Sequence, residues 1–240
     1  MLPGIYSAAN GMESAYRQQE ITARNLAHVQ MPGFRRLISY YNTPEGSTPN
    51  DSSGVAGPRN SSEAIDFTPG GLQRTGETFD LAISGDGFFT VQGPDGPLYT
   101  RNGVFQLNQE GVLVTTDGLQ VVSEQGTIQF PAGTDLSTVS VLPDGKIMSG
   151  KTEIGQLKIV SVTDPQQFRL VGATLMSLPN GETTLPATGQ VLQGVREQSN
   201  VHPVQELVSM IAVMRQQEAA QRAMTSLSSV IERHTGLNGA

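Results

Sequence analysis

The pattern of hydrophobic and polar positions begins with a period of seven. Ile5, Met12, Gln19 and Leu26 stand seven residues apart, with alanines between them. This spacing predicts an amphipathic helix with a narrow apolar stripe, which another segment of this chain or another chain has to cover. The helix is expected to end at the Pro-Gly pair of residues 32–33, because proline disfavours helical geometry before it and Pro-Gly suits a type II turn.

A second helical pattern runs from about residue 204 to residue 233 and carries two apolar stripes. Pro203 is tolerated in a first helical turn, and Gly236 follows the last periodic residue. Two stripes on one helix indicate more than one packing partner. The first stripe is Val204, Leu207, Val208, Ile211 and Met214, and the second is Met210, Val213, Ala220, Met224, Leu227 and Ile231.

Between the two helical patterns, from about residue 67 to residue 195, the period changes to two. Short runs of apolar residues alternate with Asp-Gly and Asn-Gly pairs, which supply the positive φ that tight hairpins need. We predict an antiparallel β domain of roughly eight to ten strands, without the βαβ alternation of a nucleotide-binding parallel sheet. The strand runs include residues 79–83, 88–91, 112–114, 119–122, 138–141 and 156–160, and the turn pairs begin at Asp86, Asp95, Asn102, Asp117, Asp144 and Asn180.

These patterns together predict an α+β fold. Long N- and C-terminal helices are expected to pair into a coiled-coil-like α domain, with a central antiparallel all-β domain inserted between them. The residues of the linker are mostly Pro, Gly, Ser, Thr, Asn and Asp, which cannot bury enough apolar surface to offset the entropy of ordering. The predicted divisions are residues 1–41 for the N-terminal helix, 42–66 for the linker, 67–195 for the β domain and 196–240 for the C-terminal helix.

The acidic residues are concentrated in the centre of the chain. The net charge is −7, and residues 42–195 hold sixteen of the 22 acidic side chains but seven of the 15 Lys and Arg. Near-neutral ends suit packing against neighbours, and the acidic centre suits contact with solvent. This charge argues against nucleic acid as a partner, and no apolar run approaches the ~20 residues of a membrane span. The N-terminus also lacks the pattern of a cleavable secretion signal.

The sequence carries no recognisable catalytic motif. It has no Cys, and it contains no GxSxG, HExxH, Walker A or strand-to-helix GxGxxG pattern. His28, His202 and His234 are far apart in the sequence, and none of them has a second His at helical spacing, so we predict no catalytic residue, no cofactor and no metal site. The alternative is a secreted hydrolase or carbohydrate-binding module that uses Asp86 or Asp95, although the absence of Trp leaves little aromatic platform for a sugar.

Four segments stand out along the chain. They begin at Ile5, Asn25, Gly85 and Glu197, and they read IYSAANGM, NLAHVQMPGFRR, GDGFF followed by YTRNG, and EQSNV followed by ELVSMI. In this order, they resemble the bacterial flagellar rod and hook proteins. Because the four segments span nearly the whole chain, the resemblance is specific. The length and the arrangement around residues 85–105 favour a proximal rod type, with a distal rod type as the alternative.

The family usually has Asn and Thr where this chain has His28, Gln30 and Met31, so the turn after the first helix is expected to be capped differently. Otherwise the resemblance implies an axial structural protein that polymerises helically through its terminal helices and connects the basal body to the hook. Its implied partners are copies of itself, other rod proteins and the flagellar type III export apparatus. Its implied location is the periplasm-spanning rod of the basal body.

The resemblance also implies an assembly interface. Its residues would pack within and between subunits, or would set how the chain leaves the inner tube. They are Ile5, Met12, Tyr16, Leu26, Pro32, Gly33, Phe34, Leu207, Ile211, Met214, Met224, Leu227 and Ile231.

Overall fold

The computed structural model describes residues 2–41, 61–179 and 183–237, and the chain divides into two compact units. The first, which we call the terminal unit, comprises residues 1–27, 36–66 and 201–240. The second, which we call the β unit, comprises residues 28–35 and 67–200. The chain therefore enters the β unit briefly after its first helix, and returns to the terminal unit before the long central stretch.

The terminal unit contains two helices and a hairpin. Helix α1 spans Leu2–Ala27, and helix α2 spans Pro203–Leu237. Strands β1 (Leu37–Tyr41) and β2 (Ser61–Ile65) pair antiparallel. Residues 42–60, which make up most of the predicted linker, lie outside the described residues.

Helix α1 is joined to the hairpin through a side chain in its last turn. Asn25 is buried; its Nδ2 donates to the carbonyl of Leu37 at 2.9 Å, and its Oδ1 accepts from the Leu37 N–H at 2.8 Å. Since one side chain satisfies both backbone groups of Leu37, the end of α1 and the start of β1 are fixed to each other. The buried residues of the described part of α1 are Ser14, Ala15, Ile21, Thr22 and Asn25.

The predicted fold class is wrong. The described residues contain two α-helices and nineteen strands, so they are mostly β, and the two helices touch without forming a long coiled-coil pair. Among the described side chains, the contact between the helices is not a continuous apolar seam, because Met12 and Leu26 are only half-buried while Thr22, Asn25 and Glu206 are buried. A seven-residue spacing predicts an apolar stripe but does not specify which element covers it. In the structure, the hairpin and α2 both pack against α1. A central antiparallel β domain is present.

The β unit is built from short strands joined by tight turns, and every described strand pairing in it is antiparallel. Two short 3₁₀ helices, Leu136–Thr138 and Pro165–Gln167, lie in its later half. The predicted turn at Asn180 lies outside the described residues. The strands are β3 (Leu72–Arg74), β4 (Leu81–Ser84), β5 (Phe88–Gly93), β6 (Gly96–Thr100), β7 (Phe105–Leu107), β8 (Leu113–Thr115), β9 (Val122–Ser123), β10 (Gly126–Thr127), β11 (Val139–Val141), β12 (Lys146–Ser149), β13 (Thr152–Gln156), β14 (Ile159–Ser161), β15 (Arg169–Leu170), β16 (Leu175–Ser177), β17 (Leu185–Pro186), β18 (Gln190–Gln193) and β19 (Val195–Glu197).

The largest sheet of the β unit has six strands in the order β15-β16-β6-β5-β14-β17. A three-stranded sheet joins β11, β12 and β13, and two-stranded sheets pair β4 with β18, β3 with β19, β7 with β8, and β9 with β10. The hairpin β5–β6 is therefore central to the largest sheet. Arg101, which belongs to the buried charge cluster described below, directly follows β6.

Both faces of β5 are covered by apolar side chains. Phe89 and Val91 are fully buried in the main core, and Phe88 on the opposite face lies 4.8 Å from the Phe168 ring and 6.0 Å from the Phe67 ring. Fully burying each such side chain contributes about 1.5–3 kcal/mol. The remaining buried residues of the main core are Leu81, Ile83, Leu98, Phe105, Leu113, Val121, Ile128, Phe130, Val139, Ile147, Leu157 and Val191.

Candidate functional site

One face of α2 exposes a row of large apolar side chains. Val204, Leu207, Val208, Ile211 and Met214 are between 47% and 71% exposed. Their spacing of three and four residues places them on one side of the helix, along about 15 Å of its length. Contiguous exposed apolar side chains of this kind mark surfaces that bind another protein. We call this row the α2 stripe.

The α2 stripe ends after Met214 because the same helix face then becomes polar. Continued at intervals of three and four residues, this face carries Glu218, Arg222 and Thr225. Arg222 Nη2 lies 3.2 Å from the Glu218 carboxylate, which is an exposed pair with one turn between its residues. Among the side chains of α2 that the structure describes, the apolar patch therefore occupies the N-terminal part of the helix.

The opposite side of α2 faces the interior of the terminal unit. Glu206 and Val213 are buried there, and Met210, Ala220 and Met224 are half-buried. The four apolar residues of this group belong to the second stripe seen in the sequence. Helix α2 thus has one covered apolar side and one open apolar side within the described residues.

Glu206 anchors the beginning of α2. Its carboxylate accepts a hydrogen bond from Arg36 Nε at 2.6 Å, and its side chain is 2% exposed. The Glu206 N–H donates to the carbonyl of His202 at 3.1 Å. A carboxylate in the first turn also lies at the positive end of the helix dipole. The α2 stripe is consequently carried by a helix whose start is held in place.

The turn predicted at Pro32 and Gly33 belongs to the β unit. The N–H of Phe34 donates to the carbonyl of Met31 at 3.2 Å, and Gly33 has a φ of 69°, as the third position of a type II turn requires. The Gly33 N–H donates to the carbonyl of Glu197 at 2.8 Å. The turn is therefore bound to the strand that precedes α2.

Next to this turn lies a buried cluster of one carboxylate and two guanidinium groups. Glu197 Oε1 lies 2.7 Å from Arg35 Nη2, its Oε2 lies 3.5 Å from Arg101 Nη1, and none of the three side chains is more than 7% exposed. Arg35 also donates to the Thr68 carbonyl at 2.7 Å, and the Gly70 N–H donates to Glu197 at 3.2 Å. These bonds offset the cost of removing three charges from water.

Arg101 is held by several groups at once. Its Nη1 donates to the Ile83 carbonyl at 3.2 Å, its Nη2 donates to the Gly85 carbonyl at 2.7 Å, and its guanidinium carbon lies 5.1 Å from the centre of the Phe88 ring. Burial lowers the pKa of Arg101, and the negative charge of Glu197 opposes this effect. These contacts fix the loop before β5 to the end of β6.

The assembly residues predicted from the sequence fall in separate places. Leu207, Ile211 and Met214 lie in the α2 stripe, whereas Met224 lies on the opposite side of α2. Residues 32–34 lie in the turn of the β unit, where Gly33 and Phe34 are buried and Pro32 is half-buried.

On α1, the predicted residues differ in their exposure. Met12 and Leu26 are half-buried, and Tyr16 is 60% exposed. Tyr16 is therefore accessible to a neighbour, whereas the other two are partly covered by the terminal unit. The side chains of Ile5, Leu227 and Ile231 lie outside what the structure describes.

The structure offers little support for the hydrolase alternative. Asp86 and Asp95 are both exposed and lie in different turns, one before β5 and one between β5 and β6. Across the described residues, no group of three or more His, Asp or Glu side chains is placed to hold a metal ion. Neither described helix is long and apolar enough to cross a membrane.

Comparison with known proteins decides the family. The family model for the flagellar hook protein FlgE/F/G D1 domain matches residues 82–149, and the model for the flagellar basal body rod FlgEFG protein C-terminal region matches residues 192–237. The chain is 31% identical over 242 residues to the flagellar basal-body rod protein FlgF of Caulobacter vibrioides, with 98% of each chain covered. It belongs to the flagellar basal-body rod protein family.

Relatives of two kinds match this rod-family chain about equally well. It is 33% identical to the rod protein FlgF of Escherichia coli, with 93% of each chain covered. It is 30% identical to the rod protein FlgG of Bacillus subtilis, with 97% of each chain covered. The resemblance found in the sequence is confirmed, and membership of a family of structural proteins confirms the prediction that the chain is not an enzyme.

Sequence reasoning missed the buried cluster of this rod-family chain. Arg35, Arg101 and Glu197 all lie within the segments that carry the family resemblance, but none was singled out. One signal was available, because Arg101 directly follows the apolar end of a strand, where a charge without a partner would be costly. Its partner Glu197 is 96 residues away in the sequence, and no local pattern could identify it.

Proposed function

We propose that this structural subunit of the flagellar basal-body rod polymerises helically through its terminal helices, with the α2 stripe packed against neighbouring subunits. The α2 stripe is the observation that carries the proposal. Five large apolar side chains stay half-exposed or more on a helix whose opposite side is covered. An assembly contact would remove them from water.

The size of the patch suits a repeated contact in a polymer. Burying the exposed half of a large apolar side chain contributes roughly 1 kcal/mol, so five of them contribute roughly 5 kcal/mol before the costs of association. Micromolar affinity needs about 8 kcal/mol. One stripe therefore supports weak pairwise binding, and a lattice with several contacts for each subunit would supply the rest.

The other positions implied by the family resemblance remain part of this proposal. Tyr16 extends the candidate surface to α1, where it is exposed. The turn at residues 32–34 is proposed to set how the chain leaves the inner helices. The remaining proposed packing residues are Ile5, Met12, Leu26, Met224, Leu227 and Ile231.

Family membership supports a location in the flagellar basal body and assembly with other rod and hook components. We further propose copies of this chain and both proximal and distal rod proteins as its neighbours. The proposed route of export is the flagellar type III apparatus, and the proposed place is the part of the rod that spans the periplasm.

A proximal position in the rod is our preferred assignment, and a distal position is the alternative. The relatives named FlgF and FlgG are similar to this chain at comparable identity, from 30% to 33%. The preference therefore rests on the length and on the arrangement around residues 85–105. Imaging of a tagged chain in purified basal bodies would distinguish the two positions.

The α2 stripe is tested by adding one charge to it. Ile211→Asp lies within the stripe, and Gln216→Asp is a matched control on an exposed position of the same helix outside the stripe. In a strain that lacks the gene, we expect the control to restore motility and to appear in purified basal bodies, and Ile211→Asp to do neither. Normal assembly of Ile211→Asp would show that the stripe is not the contact.

A further inference from the structure

Residues 28–35 form a segment of the β unit although the chain on both sides of them belongs to the terminal unit. Helix α1 ends at Ala27, and strand β1 begins at Leu37. The segment is thus inserted into the β unit without being continuous with any of its strands. We call it the strap.

The strap is held to the rest of the β unit by Gly33 and Arg35, and the residue between them is buried. The Gly33 N–H donates to the Glu197 carbonyl at 2.8 Å, and Phe34 is 2% exposed. Arg35 lies 2.7 Å from the Glu197 carboxylate and also donates to the Thr68 carbonyl at 2.7 Å. Backbone hydrogen bonds and charge pairs are contacts by which protein surfaces recognise short peptides.

Gly33 lies close to the backbone of the residues that follow β6. A Cβ at this position would lie 2.2 Å from the backbone nitrogen of Asn102 and 2.4 Å from the backbone carbon of Arg101. Its φ of 69° is also in the region that favours glycine. The fit is therefore specific to glycine at this place in the strap.

We propose that the β unit contains a peptide-binding site, lined by Thr68, Arg101, Asn102 and Glu197, which the strap occupies in cis and can leave while the β unit stays folded. This inference does not rest on the proposed function in the rod.

The contacts that Glu197 and Arg101 would keep after the strap leaves support the proposal that the β unit stays folded without it. Glu197 keeps its contacts with Arg101 and with the Gly70 N–H, and Arg101 keeps its bonds to the carbonyls of Ile83 and Gly85. The released Arg35 regains water around its charge. The site therefore keeps a paired carboxylate when it is empty. Release would leave residues 28–35 as a loop between α1 and β1, which both belong to the terminal unit.

The first experiment uses Gly33→Ala in the full chain and measures amide hydrogen exchange. We expect exchange in the strap to be at least about tenfold faster, while the amides of β5 and β6 keep their protection, because local opening sets the rate. Gly11→Ala is the matched control, since a Cβ there meets nothing within 4 Å. Unchanged protection of the strap, or equal loss in β5 and β6, would overturn the proposal.

The second experiment supplies the strap in trans. A fluorescent synthetic peptide with the sequence of residues 28–36, HVQMPGFRR, is expected to bind the Gly33→Ala chain and not the unaltered chain. The same peptide with alanine in place of glycine should bind neither. Equal binding to both chains, or binding to neither, would contradict the proposal.

Arg35→Gln gives an independent way to open the strap without adding a side chain to a crowded place. It removes the charge pair while Glu197 keeps Arg101. We expect faster exchange in the strap here as well, with the β unit intact. If both variants unfold the β unit, the strap is inseparable from it and the proposal is wrong.

Discussion

The carboxylate of Glu197 lies 2.7 Å from the guanidinium of Arg35, and neither side chain is more than 3% exposed. The second oxygen of the same carboxylate faces Arg101 at 3.5 Å. Two cations thus share one anion where water has little access. A buried charge is tolerated only when partners and hydrogen bonds offset its desolvation, so the cluster depends on Glu197.

Glu197→Gln is expected to destabilise the β unit strongly. The substitution removes the carboxylate that two buried guanidinium groups share, and breaking a buried pair in this way costs about 3–5 kcal/mol. Urea unfolding of the isolated chain, followed by circular dichroism, measures the loss. Glu124→Gln, at an exposed position, is the matched control, and its effect should stay within about 0.5 kcal/mol. If the urea midpoints of the two variants are equal, the cluster does not stabilise the β unit.

Gly103→Ala is predicted to destabilise the β unit through crowding. A Cβ at Gly103 would lie 1.8 Å from the carbonyl oxygen of Leu81, and the Leu81 N–H donates to the Gly103 carbonyl at 2.8 Å. Overpacking costs about 1–3 kcal/mol, and each 1 kcal/mol lowers the Tm by about 2–4 °C. Gly155→Ala is the control, because the nearest atom to its Cβ is 3.7 Å away. A thermal melt that does not separate the two variants would count against this account.

The turn glycines show how much of the fold could be predicted locally. Gly87, Gly96, Gly118 and Gly145 have φ values between 82° and 139°, as the Asp-Gly pairs predict. Gly103 also follows a turn residue, but its φ is not positive, and glycine is needed there because another segment approaches closely. Turn chemistry depends on neighbours in sequence, whereas close approach depends on the tertiary fold, which a local pattern does not contain.

The helices and the buried cluster show the same difference between features set by neighbours in sequence and features set by the tertiary fold. Apolar spacing predicted both helices, because their periodicity is local, but it wrongly predicted a long coiled-coil pair and did not indicate that the hairpin also packs on α1. The contact between Asn25 and the backbone of Leu37 involves a polar side chain that no hydrophobic pattern registers. Likewise, nothing near Arg35 in the sequence indicates that Glu197 will be its partner.

The stability of the β unit should fall in alkaline solution, in part because of Tyr99. Burial raises the pKa of Tyr99 above its ordinary value of 10.0. The unfolded chain therefore loses this proton at lower pH than the folded chain does. The free energy of unfolding is consequently expected to decrease as the pH rises above about 10 toward the folded pKa.

Tyr99→Phe removes this ionisation, so its stability should decline less steeply than that of the unaltered chain. Urea unfolding at about pH 9, 10 and 11 gives the slope for each protein. Tyr16→Phe, which removes an exposed phenol, is the control. If the unaltered chain and Tyr99→Phe lose stability in parallel, the buried phenol does not contribute to the alkaline loss.

Asn25 is expected to be essential for joining α1 to the β1–β2 hairpin. Its side chain is 1% exposed and is bonded to both backbone groups of Leu37, the first residue of β1. Asn25→Ala leaves a buried N–H and a buried carbonyl without partners, and each such group costs about 1–3 kcal/mol. Asn25→Asp is not expected to restore stability, because it keeps the acceptor, loses the donor and places a charge in a buried position.

The loss should be local to the terminal unit, because Asn25 and the hairpin both belong to it. Hydrogen exchange of residues 37–41 is therefore expected to accelerate in Asn25→Ala, while exchange in β5 and β6 stays unchanged. Asn10→Ala is the matched control in the same helix, and it should be neutral or stabilising by up to about 0.7 kcal/mol, since alanine favours helix. If residues 37–41 exchange at the same rate in both variants, α1 is held against the hairpin by apolar packing through residues such as Ile21, and the side-chain amide is dispensable.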